Sequence, residues 1–378
     1  MKYIDEYRDG GLARNIAEAI HAEARGDRRY RLMEFCGGHT HVISRYGIDD
    51  LLPASVHMIH GPGCPVCVLP VGRIDAGVAL ARQTGIILCT YGDTLRVPGS
   101  KHVSLFKARA EGCDVRMVYS PLDALRIAQA NPDRQVVFFA IGFETTTPPT
   151  AMAIQEAARR GLGNFSVFCN HVLTPAAIRS ILEPGDGRDL GTVPLDGFVG
   201  PGHVSVVIGS KPYEYFADEY HKPVVIAGFE PLDVIQAILM LVRQINEGRH
   251  EVENQYTRAV TRYGNVKAQG MVADVFELRP TFEWRGLGSL PYSALRIKQG
   301  YAKFDAEHRF RVPSHSVPDP KSCQCGAIVR GLKRPIDCKL FGTACTPDDP
   351  VGSCMVSSEG SCAAYYSYRR SSDKREVA

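Results

Sequence analysis

Hydrophobic and polar positions along the chain follow two rhythms. Leu12, Ile16, Ile20 and Ala24 recur at helical spacing, so the first 30 residues predict a helix followed by a charged turn. From Tyr30 the pattern becomes short apolar runs at 31–35, 56–59, 85–89 and 115–119, with helical periods over 74–83 and 122–130. The same order resumes with runs at 135–141, 165–170, 197–199 and 224–227 and a helical period over 151–160. A helix is predicted from Leu232 to about 247, then a polar stretch to 263 and a mixed, turn-rich stretch over 270–300. Strands alternating with helices imply an α/β fold with parallel sheets, in which the loops at the strand ends carry the chemistry.

Three short segments of the first run are echoed in the second. Residues 33–40 (MEFCGGHT) match 140–147 (AIGFETTT), 60–67 (HGPGCPVC) match 199–206 (VGPGHVSV), and 87–93 match 225–230. These echoes predict two related α/β lobes facing a cleft, one over 1–130 and one over 131–249. A returning segment, 250–312, is expected to join the first lobe. A Pro-rich linker at 312–320 then leads into a separate module, 313–378.

Composition narrows the function classes. With 44% hydrophobic residues, 22% charged residues and a net charge of +3, the chain reads as a globular protein with no electrostatic argument for nucleic acid or a membrane surface. Residues 1–14 lack an apolar signal segment, and the apolar run at 234–242 is too short to span a bilayer, so a cytoplasmic protein is expected. No Walker-type or dinucleotide glycine fingerprint is present.

Twelve cysteines change the picture, because in a cytosolic chain they point to metal or redox chemistry rather than structural disulfides. Six crowd into the C-terminal module: Cys323, Cys325, Cys338, Cys345, Cys354 and Cys362. Few residues there could build a core, so a thiolate-bound metal group is expected to hold the segment together. The close Cys pairs of zinc ribbons are missing, and wide spacing beside Gly and Pro favours a 4Fe-4S cluster over zinc. The preferred ligand set is Cys323, Cys338, Cys345 and Cys362. Cys325 is the alternative for the first place, and Cys354 is spare.

The other cysteines divide by context. Cys89, Cys113 and Cys169 lie in or beside apolar strands and read as structural. Cys64 and Cys67 form a CxxC in a Gly/Pro turn, which is either a ligand pair or a redox couple. Cys36 stands alone before Gly37-Gly38, with His39 and His41 following. At the matching strand ends of the second run stand Glu144, Thr145, Thr146, His203 and Glu230, with Asp93 and Arg96 on the first side. If the lobes face one another, these groups line one cleft. Helix capping by Thr147 and a loop salt bridge from Arg96 are the plainer roles for those two.

MEFCGGHTH at 33–41, GPGCPVC at 61–67, YGDTLRVPGS at 91–100, IGFETTTP at 141–148 and CMVSSEGSCAAYY at 354–366 together resemble the HypD family, which matures NiFe-hydrogenases. The resemblance runs from about residue 30 to 368. It implies two α/β domains and a small 4Fe-4S domain, and a complex with the chaperone HypC that holds the iron on which the Fe(CN)2CO group is built. HypE is implied as the transient cyanide donor and the hydrogenase large subunit as the indirect recipient. It also implies that Cys36 is the iron-binding thiolate, with Cys64 and Cys67 beside it as further ligands or as a switch. His39 and His203 would meet cyanide nitrogens or orient the thiolate, and a carboxylate such as Asp93, Glu144 or Glu230 would relay protons. A thioredoxin-sized CxxC insert beside a permanent cluster favours the switch. Two other functions compete: a stand-alone 4Fe-4S-dependent disulfide reductase and a zinc-stabilised adaptor.

Overall fold

Eight of the nine parallel-sheet strands form where the apolar runs predict them, and the ninth, Val252–Asn254, lies in the stretch read as polar. In chain order they are β1 (Tyr30–Glu34), β2 (Val56–His60), β3 (Ile86–Thr90), β4 (Val115–Met117), β5 (Gln135–Gly142), β6 (Phe165–His171), β7 (Gly197–Pro201), β8 (Val224–Ala227) and β9 (Val252–Asn254). The computed structural model describes residues 4–183, 193–313 and 316–369. Ser314 and His315 of the expected linker therefore lie outside the described residues.

The strands build two sheets, each parallel throughout. One has the order β2-β1-β7-β8-β9 and the other β4-β3-β5-β6. Strand pairing therefore does not follow the expected division at residue 130. The first sheet takes β1 and β2 and then, after the whole second sheet, β7 to β9. Leu32 is in register with Gly197 and Tyr30 with Val56. The echoed segments sit at equivalent strand-to-helix junctions, but His203 and Glu230 leave the same sheet as Cys36 rather than an opposing one. The 140–147 and 87–93 segments face Cys36 from the second sheet. The returning segment also divides. β9 extends the first sheet; Phe276, Leu295, Ile297 and Phe304 pack beside β6, while the 281–291 hairpin enters the inner core and the Arg285 backbone N–H donates to the Val68 carbonyl at 2.7 Å.

Alternation along the buried strands decides which core each side chain enters. On β5, Val136, Phe138 and Ala140 point to an outer core with the helix Thr147–Arg159, while Val137, Phe139 and Ile141 point inward. On the first sheet Leu32, Val199 and Val225 pack under the helices Gly10–Glu23 and Pro231–Glu247, while Met33, Phe198 and Ile226 face inward. One apolar core joins the two inner faces. It also contains Cys64, Cys67 and, from the C-terminal module, Cys325, Cys345, Cys354 and Cys362. The cysteine module thus packs against the loops at the C-terminal ends of the strands, with Ser353 on Cys67 and Glu359 on Gly37. Among the described residues no helix is long and apolar enough to cross a membrane.

Candidate functional site

β1 ends at Glu34, and the helix Gly37–Tyr46 begins three residues later with Cys36 at its N-cap. The Cys36 carbonyl accepts from the backbone N–H of His39 at 2.8 Å and of Thr40 at 3.2 Å. The turn is tight because two neighbours press on it. A Cβ on Gly37 would lie 2.4 Å from the Glu359 side chain, and one on Gly63 would lie 2.5 Å from the Cys36 nitrogen. These glycines let the CxxC loop and the 357–360 turn close on the thiol from two sides.

A cavity of about 480 Å3 opens beside Cys36, between the loop ends of the two sheets. Asp93, Thr145, Thr146, His203 and Glu359 line it together with Cys36, and Gly63, Pro65 and Val66 supply the CxxC-loop wall. Cys36 Sγ lies 3.8 Å from His203 Nδ1. Burial, and after it the charges of Glu359 and Glu34, pushes the Cys36 thiol well up from its ordinary range, although the Gly38 and His39 amides of the helix start pull it down. Burial and the carboxylate charges both favour the neutral thiol over the thiolate. Burial, followed by Asp93 and Glu34, likewise raises Glu359.

Several predicted residues lie elsewhere. His39 is fully buried, with Nε2 at 3.0 Å from the Gly228 carbonyl and 3.2 Å from that of Ala227, so its ring faces β8. His41 packs edge-on against Tyr368 of the C-terminal helix. Glu144 points away from the cavity and accepts from the Thr174 N–H at 2.9 Å and its hydroxyl at 3.0 Å; burial raises its pKa to about 7. Glu230 caps the helix Pro231–Glu247 and pairs with Arg8. Arg96 reaches the Pro347 carbonyl, and the Thr147 hydroxyl donates to the Phe143 carbonyl; Thr146 stays in the cavity wall although its own hydroxyl donates to the same carbonyl. Strand-end position alone does not say whether a side chain turns into the cleft or back into its own loop.

Residues that the motif reading left without a role prove central. Glu34 is fully buried and accepts from the Cys36 N–H at 2.8 Å, from the Thr40 hydroxyl, and from His60 Nδ1 at 2.9 Å. An acid at the end of an apolar strand, two residues before the lone cysteine, was the available signal. Burial alone would lower the His60 pKa, but the Glu34 hydrogen bond and charge, with Asp49, outweigh it and raise the value.

Cys64 and Cys67 form a disulfide with Cα atoms 5.2 Å apart, buried behind the cavity wall. The Ser353 hydroxyl donates to the Cys67 carbonyl at 3.1 Å and lies 3.6 Å from Cys325 Sγ, which links the CxxC loop to the C-terminal module. All six C-terminal cysteines line one small cavity with Leu340, Phe341 and Met355. Cys325, Cys345, Cys354 and Cys362 are buried, while Cys323 and Cys338 are partly exposed. The sulfur-only donor set and apolar wall fit a thiolate-bound cluster. Among the described residues no three His, Cys, Asp or Glu side chains are grouped to hold a single metal ion.

With this geometry in place, comparison with known proteins is specific. Residues 11–369 match the HypD family model, described as the hydrogenase formation hypA family. The chain is 68% identical over 374 residues to the hydrogenase maturation factor HypD of Rhizobium leguminosarum bv. viciae, covering 99% of this chain and 97% of that protein. It is 67% identical to the Cupriavidus necator HypD over the full length of both chains. Against the Escherichia coli K12 HypD it is 48% identical, covering 98% of this chain and 99% of that one.

Proposed function

The chain belongs to the HypD family of hydrogenase maturation factors, and from that premise we propose that it is the iron-holding and electron-delivering member of a complex that builds the Fe(CN)2CO group. The observation that carries the reading is that Cys36 is the sulfur facing the cavity, while the Cys64–Cys67 disulfide lies behind the wall and is tied through Ser353 to a six-cysteine module.

Iron entering the cavity as substrate meets the Cys36 thiol in a negative field set by Glu359 and Glu34. The iron's charge offsets that field and favours the thiolate, which suits a soft, low-spin metal carrying cyanide and CO. His203, 3.8 Å from the sulfur, and the Asp93 and Glu359 carboxylates offer hydrogen-bond partners and a route for the released proton. Further ligands come from the small chaperone HypC, which closes the open side, and cyanide comes from HypE.

Cys323, Cys338, Cys345 and Cys362, with Cys325 able to replace Cys323, would hold a 4Fe-4S cluster. That group supplies one-electron transfer when bound. Two electrons, delivered one at a time by the reduced cluster, and two protons would convert the Cys64–Cys67 disulfide into two thiols; return of both electrons to the oxidised cluster, with release of the two protons, would re-form it. Burial of the pair away from the cavity supports a switch rather than permanent iron ligation. Anaerobic co-purification with HypC, followed by infrared spectroscopy, tests this reading. Metal-bound CN and CO bands are expected, and iron absorption data showing Cys64 and Cys67 sulfurs on the iron throughout the cycle would overturn the switch.

A stand-alone 4Fe-4S-dependent disulfide reductase remains the alternative, favoured by the same Ser353 link. It predicts a brown protein whose reducing activity needs neither HypC nor iron at Cys36.

A further inference from the structure

Phe229 stands between the two histidines of the site. Its ring lies 3.6 Å from that of His203 with the planes 19° apart, and 4.8 Å from that of His39 at 22°. A Cβ on Gly38 would come within 2.7 Å of the Phe229 ring, and one on Gly202 within 3.0 Å. These glycines begin the helices Gly37–Tyr46 and Gly202–Ile208, which carry His39 and His203 respectively. Both helix starts are therefore cut back to admit one ring. Tyr256 meets Phe229 edge-on at 6.1 Å and closes another side.

The two histidines are fixed differently. His39 is anchored by its own bonds to the Ala227 and Gly228 carbonyls. His203 has the Cys36 sulfur at 3.8 Å and the Phe229 face, with its edge open to the cavity. An imidazole with its edge in a cavity exchanges among staggered χ1 wells and turns broadly about χ2 unless a packed neighbour holds its plane.

We propose that Phe229 is a positioning residue for the Cys36 site: wedged between His39 and His203, it sets the plane of the His203 imidazole so that Nδ1 faces the Cys36 sulfur. The anchored His39 ring serves as its backstop. This rests on Cys36 and His203 forming the reactive pair of the proposed function. A leucine at 229 fills similar volume but offers no flat face, so His203 becomes free to rotate and the sulfur loses a hydrogen-bond partner. One such bond contributes on the order of 1 kcal/mol, which corresponds to roughly a fivefold change in rate or equilibrium.

The test uses the full-length protein without iron, so its outcome is independent of CN and CO chemistry. In wild type, the His203 ring protons are expected to show upfield NMR shifts from the Phe229 ring current, assigned by their loss in His203→Gln. In Phe229→Leu those shifts collapse, and Cys36 alkylation by iodoacetamide, followed by peptide mass spectrometry, changes about three- to tenfold. Phe229→Tyr is expected to restore both. The His39 carbonyl bonds persist in Phe229→Leu, so the His39 N–H remains protected from exchange. Unshifted His203 protons in wild type would overturn the proposal whether or not the variant folds. So would a Phe229→Leu protein with wild-type alkylation and wild-type His203 resonances. If the proposed function fails while the ring-current shifts are present, absence of CN and CO bands with HypC will show that separately.

Discussion

Replacing Glu34 by Gln tests the buried network that holds the Cys36 backbone. Its two carboxylate oxygens accept three donors: the Cys36 N–H, the Thr40 hydroxyl and His60 Nδ1. Glutamine keeps the shape but turns one oxygen into an NH2, so a donor must face at least one of those donors. A buried donor left unsatisfied costs about 1–3 kcal/mol, and breaking a buried ion pair from one side costs about 3–5 kcal/mol. The expected loss is about 3 kcal/mol, with His60→Gln and the double variant completing a cycle in urea unfolding. The pH dependence has a defined sign. The folded-state pKa of His60 is raised, so its contribution is complete below the unfolded value and is lost as pH rises through the folded one. The Glu34–His60 coupling should therefore be larger near pH 6 than near pH 9. A coupling below about 0.5 kcal/mol at both would refute the argument, because the pair would then contribute no more than an exposed one.

Three further outcomes follow from the same geometry. Burial raises Glu144 to about 7, so its stabilising contribution is present below about 4.5 and fades as pH rises through 7, a change of about 3 kcal/mol. Glu144→Gln should flatten the urea midpoint across that window, and an unchanged slope would contradict the burial argument. Gly63→Ala puts a Cβ 2.5 Å from the Cys36 nitrogen, where only backbone could yield, so soluble yield should fall sharply; normal expression and melting would be inconsistent with the close approach. Acid-quenched, metal-free protein labelled under denaturing conditions should alkylate ten cysteines without reductant, leaving Cys64 and Cys67 unlabelled; twelve labelled thiols would count against the disulfide.

The strands were legible because buried parallel strands are short apolar runs. β1 to β8 appear where Leu32, Leu88, Phe138 and Val225 sit in such runs. β9 was missed because Val252–Asn254 is a half-buried edge strand with one apolar residue. Which strands pair was not legible, since nothing in the apolar run of β7 records that it lies beside β1 across an insertion of more than a hundred residues. The site was legible where motif residues face the cavity, as with Cys36, Asp93, Thr145, Thr146 and His203. It was illegible where side-chain direction decided the role. Glu144 turns to Thr174, Glu230 to Arg8 and His39 to β8. Glu359 and Phe229 act through contacts with residues distant in sequence, so spacing could not reveal them, and Glu34 joins Cys36 and Thr40 nearby to the distant His60.

The central claim is that Cys36 holds the iron while the C-terminal cysteines hold a separate cluster. Infrared and visible spectra of Cys36→Ala, purified anaerobically with HypC, test it most directly. The account predicts that the metal-bound CN and CO bands vanish while the broad cluster absorbance stays at the wild-type level. Bands that persist without Cys36, or bands and absorbance lost together, would contradict it.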